Sequence, residues 1–147
     1  MFSRQTGKFG TKLIAVIFCG LTCLSACDDT QTTPLPDRDQ LYQLFERVAD
    51  FTTALDRLDI VCGSTGDEDK LGWLRMQSAA WLDSDQQAKL EAFIKDHRQA
   101  VFETYKGKYC GMEVVAERDN YVAAYKVHRL RLQNALNNLR KAGKGRP

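Results

Sequence analysis

The stretch from Leu41 to Cys62 reads LYQLFERVADFTTALDRLDIVC, and it decides the fold class of this chain. Its apolar residues recur at spacings of three and four: Leu41, Leu44, Phe45, Val48, Phe51, Leu55 and Leu58. Because an α-helix turns once in about 3.6 residues, this spacing places them all on one face. The stretch therefore predicts an amphipathic helix that ends near Val61, with Asp37 as its N-cap and Gln40 completing a capping box.

Two further helical segments follow after a loop at residues 63–69, GSTGDED. Leu71 to Trp81 has the apolar pattern of a short second helix. Ser84 with Gln87 is typical of a second capping box, and it opens a third helix that Cys110-Gly111 ends. The inner face of the third helix is predicted to hold Leu90, Phe93, Ile94, Val101 and Tyr105.

A fourth helix is predicted from Glu113 to Arg140. Its inward residues are expected to be Val115, Val122, Tyr125, Leu132, Leu136 and Leu139. The chain has no alternating β-type run and no internal repeat. Four helices with short connections predict a small all-α four-helix bundle over residues 37–141, followed by a basic disordered tail at 142–147.

The first 26 residues have the pattern of an export signal. Arg4, Lys8 and Lys12 come first without any acid, and Leu13 to Leu24 then reads LIAVIFCGLTCL. An apolar run of about a dozen residues is well short of the roughly 20 that a helix needs to cross the bilayer. Residues 1–26 are therefore predicted to be a cleaved signal peptide.

The residues Leu24-Ser25-Ala26-Cys27 resemble the lipobox of bacterial lipoproteins. This resemblance implies that Cys27 becomes the first residue of the mature protein and carries a diacylglycerol, whereas an ordinary secretory signal with an incidental cysteine is the alternative. Residues 27–36, polar and with two prolines, would then be a lipidated tether. The acids Asp28 and Asp29 resemble the signal that keeps enteric lipoproteins in the inner membrane. We expect a periplasm-facing, lipid-anchored protein, with the inner membrane favoured over the outer.

The cysteines agree with export to an oxidising compartment. Of the five in the chain, Cys19 and Cys23 leave with the signal segment, and lipid would occupy Cys27. Cys62 and Cys110 remain, and an even pair in the periplasm is most simply one disulfide, joining the end of the first helix to the end of the third. Two free or metal-binding thiols are the competing interpretation.

The charge of the mature chain is nearly balanced but unevenly placed. Arg4, Lys8 and Lys12 leave with the signal segment, so 18 of the 21 basic residues remain against 19 acidic ones. Such a protein is not built around polyanion binding, and nucleic acid is not expected as a partner. Residues 121–147 nevertheless hold seven bases and no acid. This basic end is either a solvated helix face or a surface for anionic headgroups or an acidic partner.

Catalytic and metal-binding patterns are not found in the sequence. His97 and His128 fall on different predicted helices, and His97 is expected to be a boundary residue with a satisfied hydrogen bond. The acids Asp67, Glu68 and Asp69 lack the alternating oxygen ligands and distal Glu of a calcium loop. No serine-hydrolase, zinc-protease or phosphate-loop motif is present. We therefore expect no enzyme activity, no catalytic residue, no metal and no cofactor.

The aromatic residues are the remaining candidates for a binding surface. Most are expected in the core, because a thin bundle uses large rings to fill space, although Phe102 and Tyr121 fall off the inner stripes. If some of them line a groove, that surface would suit an amphipathic helix of a partner. The candidate partner-binding residues are Trp73, Trp81, Phe102, Tyr109 and Tyr121.

The arrangement is similar to two groups of exported proteins. Cys27, the helix Leu41 to Cys62 and the interval to Cys110 resemble the helical pilotins of type II secretion, whose disulfide-tied four-helix domain receives a helix from the secretin. Asp28 departs from that family, whose members reach the outer membrane. Cys62-Gly63, Trp73 and the Tyr-rich segment Tyr105 to Cys110 resemble small exported alphaproteobacterial proteins of unknown function.

Together these patterns predict a lipoprotein whose helical domain binds another envelope protein, as an adaptor or chaperone of an envelope assembly. Pilotin-like capture of a helix is its most concrete form. Its partners would be the membrane, through the N-terminal lipid, and that envelope protein. The alternatives are a conjugation-associated surface-exclusion lipoprotein and an enzyme or metal-handling protein.

Overall fold

The computed structural model describes residues 34–64 and 68–144. Within these ranges the chain forms helices α1 (Arg38–Val61), α2 (Lys70–Trp81), α3 (Ser84–Thr104) and α4 (Met112–Lys141), and no strand. The prediction of a small all-α four-helix bundle is confirmed. The predicted signal peptide and the predicted sites at Cys27, Asp28 and Asp29 lie outside the described residues.

Helix α1 is central, and each of the other helices packs chiefly against it. Arg38 at the start of α1 lies 3.3 Å from Asp83 at the start of α3, so these two helices run parallel. Asp59 near the end of α1 contacts Lys70 and Arg118, which lie near the starts of α2 and α4. Helices α2 and α4 are therefore antiparallel to α1.

The buried residues of α1 extend beyond the predicted apolar stripe because α1 is covered from several sides. The buried side chains of Thr52 and Thr53 donate hydrogen bonds to the carbonyls of Val48 and Ala49, one turn earlier. These small side chains satisfy their own hydroxyls, and they leave room for a neighbouring helix to approach closely. The sequence pattern did not predict their burial, because both residues are polar.

Acidic side chains cap the starts of α1, α2 and α3, whereas α4 begins at Gly111 without a side-chain cap. The backbone N–H of Gln40 donates to Asp37 at 2.8 Å and the Gln40 side chain accepts from the Asp37 N–H at 3.1 Å, which confirms the first capping box. The N-cap of α3 is Asp83, whose carboxylate accepts from the N–H of Gln86 at 2.9 Å. The predicted cap Ser84 is instead the first helical residue.

The connection from α3 to α4 differs from the prediction. Helix α3 ends at Thr104, six residues before the predicted stop at Cys110. A turn follows, in which Gly107 adopts a φ of 74° that disfavours residues with a side chain. Cys110-Gly111 therefore precedes the start of α4 instead of ending α3, and Gly111 is the N-cap of α4.

The register at the start of α4 also differs. Val114 is buried, whereas the predicted inward residue Val115 is 41% exposed. Val114 lies eleven residues before buried Tyr125, which is close to three helical turns, so both face the core. At the other end, residues 142–144 form the helix cap, with the N–H of Lys144 donating to the Leu139 carbonyl at 3.2 Å. Order thus extends past residue 142, where a disordered tail was predicted.

A disulfide joins Cys62 to Cys110, with a Cα–Cα distance of 4.8 Å, and confirms the predicted pairing. It ties the C-cap of α1 to the residue before the N-cap of α4, not to the end of α3.

Of the helices in the described part of the chain, none is both long and apolar enough to span a bilayer.

Candidate protein-binding site

A groove of about 510 Å³ opens between α1 and α3. The two parallel helices each turn one face toward it, and α2 contributes Arg75 at its edge. Arg75 makes two hydrogen bonds to Glu91, of 2.8 and 2.9 Å, and this pair ties α2 to α3 beside the groove. The lining residues are Thr53, Asp56, Arg57, Ile60, Arg75, Glu91, Ile94, Lys95, Arg98, Gln99 and Phe102.

The apolar part of the groove is exposed to solvent. Ile60 is 68% exposed and Phe102 is 41% exposed, although both are large hydrophobic residues. The guanidinium carbon of Arg57 lies 4.6 Å from the centre of the Phe102 ring. A cation over the face of an aromatic ring is held by the ring quadrupole, so Arg57 and Phe102 form one wall.

Arg57 has unused hydrogen-bonding capacity. Its Nε is buried and has no hydrogen-bond partner, and among the described residues no carboxylate pairs with its guanidinium. Buried polar atoms in proteins are nearly always hydrogen-bonded. An acidic group that enters the groove could therefore form an ion pair with the guanidinium of Arg57.

The electrostatics of the groove favour anions. Four cations line it against the acids Asp56 and Glu91. The hydrogen bond from Arg75 lowers the pKa of Glu91, so that carboxylate is already paired. Burial raises the pKa of Asp56, and Arg98 at 3.9 Å opposes that shift only in part. The groove combines an excess of positive charge with an apolar wall.

The shape and chemistry suit a short amphipathic segment. The wall on α3 runs from Glu91 to Phe102, which is about 16 Å of helix at 1.5 Å per residue. A partner helix of similar length could place apolar side chains on Ile60 and Phe102 and acidic ones near Arg57.

The five aromatic residues that were predicted to bind a partner do not share a surface. Trp73, Trp81 and Phe102 line three different grooves. Trp81 is only 9% exposed and belongs to the main core, and Tyr121 is half-buried with its ring 6.0 Å from that of Phe51. For Trp81 and Tyr121 the structure indicates a packing role, because their rings are covered by the bundle.

The remaining aromatic candidates differ in exposure. Tyr109, in the α3–α4 connection beside Cys110, is 81% exposed. Trp73 is half-buried under Arg129, whose guanidinium carbon lies 4.5 Å from the ring centre. Arg129 also contacts Glu68 of the preceding loop, so this cluster holds the loop and α2 on α4. Of the five predicted residues, Phe102 alone lines the α1–α3 groove.

The two histidines lie on different helices and contact adjacent residues of α1, Asp50 and Phe51. His97 of α3 lies with its Nε2 2.8 Å from Oδ1 of Asp50, but its N–H is not aligned on that oxygen as a hydrogen bond requires. His128 of α4 stacks on Phe51 with ring centres 4.9 Å apart, and burial, followed by the charges of Arg131 and Arg47, lowers its pKa.

A second groove, of about 530 Å³, lies beside His97. None of the residues that line it carries a hydroxyl or thiol that His97 could activate: Gln43, Glu46, Arg47, Asp50, Phe93 and His97. Two acids of the α1–α2 loop have structural contacts, since Glu68 pairs with Arg129 and Asp69 caps α2, whereas Asp67 lies outside the described residues. Across residues 34–64 and 68–144 no three His, Cys, Asp or Glu side chains are grouped to hold a metal.

Sequence reasoning missed Arg57, Ile60 and Arg98 as residues of the groove. Ile60 offered a signal, because it is a large apolar residue that falls outside the apolar stripe of α1. Arg57 lies three residues before it, which places both on the same face of the helix.

Comparison with known proteins adds no further assignment: no family model matches this chain, and neither a curated protein nor a solved structure is significantly similar to it.

Proposed function

We propose that this protein is a lipid-anchored, periplasm-facing lipoprotein whose helical domain binds a segment of another envelope protein in the α1–α3 groove. The observation that carries this proposal is the wall formed by Arg57 and Phe102 beside exposed Ile60. Exposed apolar side chains beside an arginine that no carboxylate of the described residues pairs are typical of a contact surface.

The partner segment that fits this groove is an acidic amphipathic helix. Its apolar face would cover Ile60 and Phe102, and its carboxylates would pair with Arg57 and Arg98. Such pairing fixes the register of the helix and excludes basic segments. This is the capture of a helix that the resemblance to pilotins implies, here with a groove of defined charge.

The anchor in this proposal is Cys27. Acyl chains on that cysteine each contribute about 0.8 kcal/mol per buried CH₂ group, which gives stable attachment without a membrane-spanning helix. Incorporation of labelled palmitate into the protein, and its loss in Cys27→Ser, tests this part. Placement in the inner membrane is tested on a sucrose gradient, where Asp28→Ser is expected to move the protein to the outer membrane.

The groove is tested by site-specific photo-crosslinking in cells that make the protein at its native level. A crosslinker at Ile60 or Phe102 is expected to give one discrete adduct. The matched control is Met76 on α2, which is 61% exposed and does not line the groove. Adducts that are equally strong from Met76, or absent from both groove positions, would refute the proposed binding site.

The chemistry of the partner is tested with the segment that mass spectrometry identifies in the adduct. Its synthetic peptide is expected to bind the purified protein, and Arg57→Glu is expected to weaken that binding about tenfold or more, in line with the loss of a close charge pair. Lys106→Glu, which changes an exposed cation outside the groove, is the control.

A further inference from the structure

The outer face of α4 carries exposed apolar residues together with cations. Val127 is 48% exposed and Leu130 is 57% exposed. Exposed cations on the same half of α4 are Lys126, Arg131, Arg140 and Lys141. Since residues 121–147 contain no acid, this half of the helix and its continuation have one sign of charge.

These residues form one continuous face. At about 100° per residue, the exposed positions from Lys126 to Lys141 fall within roughly half of the helix circumference. Leu130 lies near the middle of that arc, between Lys126 on one flank and Arg131 on the other. The opposite arc holds the buried residues Tyr125, Leu132, Leu136 and Leu139. The outer face of α4 therefore combines exposed apolar residues with cations, while the inner face packs in the core of the bundle.

The cations of this face are not neutralised by the protein. Most other bases of the bundle contact a carboxylate, as Arg75 does with Glu91. In the described part of the chain, no carboxylate lies within salt-bridge distance of Lys126, Arg131, Arg140 or Lys141. The face therefore presents a field that favours an anionic surface.

The chain enters the bundle next to this face. Pro36 and Lys144 line the same cleft of about 340 Å³, so the start of the described chain lies beside the end of α4. Pro34 follows Cys27 by seven positions, and an extended chain covers roughly 25 Å over that length. If Cys27 carries lipid, as the proposed function holds, this short tether keeps the basic end of α4 close to the membrane surface.

We propose that the outer face of α4, from Lys126 to Lys141, lies on an anionic phospholipid surface. Val127 and Leu130 reach between the headgroups, and the flanking cations contact phosphates. Apolar residues between rows of Lys and Arg are the composition of helices that lie in the membrane interface. The short tether raises the effective concentration of the surface, so a modest affinity is enough to orient the domain.

This orientation would turn the α1–α3 groove toward the periplasm. Phe51 of α1 faces α4, where its ring contacts those of Tyr121 and His128. Ile60 of the groove lies nine residues later, which is about two and a half helical turns and hence the opposite side of α1. A domain lying on α4 thus presents its groove away from the lipid.

The test uses the protein from residue 28 onward, without lipid. This portion contains helices α1 to α4, the buried residues that they share and the disulfide, so the bundle is complete in it. Cosedimentation is measured with vesicles of phosphatidylcholine alone and of phosphatidylcholine with phosphatidylglycerol. Binding is expected only to the second kind, and added salt is expected to weaken it because counterions screen the charges.

Two variant pairs assign the binding to α4. Lys126→Gln with Arg131→Gln is expected to lower vesicle affinity roughly tenfold or more. Lys89→Gln with Lys106→Gln removes the same charge from α3 and its following turn, at positions that do not line the α1–α3 groove, and is expected to leave the affinity nearly unchanged. Leu130→Asp is expected to abolish binding, whereas Met76→Asp is not. Circular dichroism establishes that each variant keeps its helix content.

The proposal is overturned if phosphatidylglycerol does not promote binding, or if the Lys89 and Lys106 pair weakens it as much as the α4 pair. It is also overturned if the protein forms dimers that Leu130→Asp dissociates, because a second copy would then cover this face. The vesicle test needs neither Cys27 nor the groove, so its outcome is independent of palmitate labelling and of crosslinking at Ile60.

Discussion

Arg118 of α4 donates a hydrogen bond from its Nε to Oδ1 of Asp59 in α1 at 2.7 Å, across 59 positions of sequence. The Asp59 side chain is only 10% exposed, and its other oxygen lies 3.6 Å from the Nζ of Lys70 in α2. The Ser64 hydroxyl also donates to Asp59, at 3.0 Å. One buried carboxylate thus holds three helices and a loop at the disulfide end of the bundle.

Asp59→Ala is expected to destabilise the protein by about 3 kcal/mol, because it removes a buried carboxylate and leaves two partly buried cations, Lys70 and Arg118, without their partner. The measurement is the free energy of unfolding from urea denaturation followed by circular dichroism. Asp85→Ala breaks an exposed contact with Lys89 of 2.7 Å and is the control, with an expected change under about 0.5 kcal/mol. Equal losses in the two variants would contradict the structural role of Asp59.

Loss of the disulfide is expected to cost about 4 kcal/mol, the chain-entropy value for a loop closed by two cysteines 48 residues apart. Reduction of the wild-type protein and the variant Cys62→Ser with Cys110→Ser should lower the free energy of unfolding by similar amounts. The variant should not respond further to reductant. A variant as stable as the oxidised protein would show that the disulfide does not stabilise the fold.

Leu58→Ala is expected to destabilise the bundle by about 2 to 5 kcal/mol, because the Leu58 side chain is fully buried among α1, α3 and α4 and its loss leaves a cavity. Ile60→Ala, two residues away but 68% exposed, is expected to change the stability by under about 1 kcal/mol. Thermal unfolding of the two variants separates them. A large loss in Ile60→Ala would mean that Ile60 is a core residue and not part of an open wall.

Asp56→Asn is expected to raise the stability slightly at neutral pH. Burial raises the pKa of the Asp56 carboxyl in the folded protein above its ordinary value of 3.8. A carboxyl with a raised pKa costs stability once it ionises, so this cost is absent below the unfolded pKa and complete above the folded one. The advantage of Asn over Asp should therefore appear as pH rises through that interval.

The measurement for Asp56→Asn is the difference in free energy of unfolding between variant and wild type across the acidic range. The difference should be near zero at about pH 3 and favour Asn at neutral pH, by up to about 1 kcal/mol. If Asn were the less stable at neutral pH, the ion pair of Asp56 with Arg98 would outweigh the cost of burial.

Periodicity was enough to predict the number and class of the helices. The stripe from Leu41 to Leu58 marked α1 correctly, because apolar burial decides which face of a helix turns inward. The same rule failed at the end of α3, where Tyr105 and Cys110 continued the apolar pattern beyond the helix. The turn there depends on Gly107, a single residue whose positive φ no periodic pattern reveals.

The binding groove could not be predicted from the sequence, because it depends on which helix faces remain uncovered. Ile60 and Phe102 are 42 positions apart and meet only because α1 and α3 run parallel and adjacent. Bulk and aromaticity alone favoured Trp81, which the bundle buries. The placement of cations such as Arg57 over a ring is likewise a property of tertiary structure.

The central position of α1 has a consequence for the order in which the fold is assembled. Each of the outer helices packs chiefly on α1, and α1 is the first of the four to be synthesised. Every later helix therefore meets a partner that already exists, whereas α1 completes the burial of its own apolar residues only when α4, the last helix, packs against it. Such a chain can gain its structure piecewise as it emerges, and the face of α1 that packs on α4 is the last apolar surface to be covered.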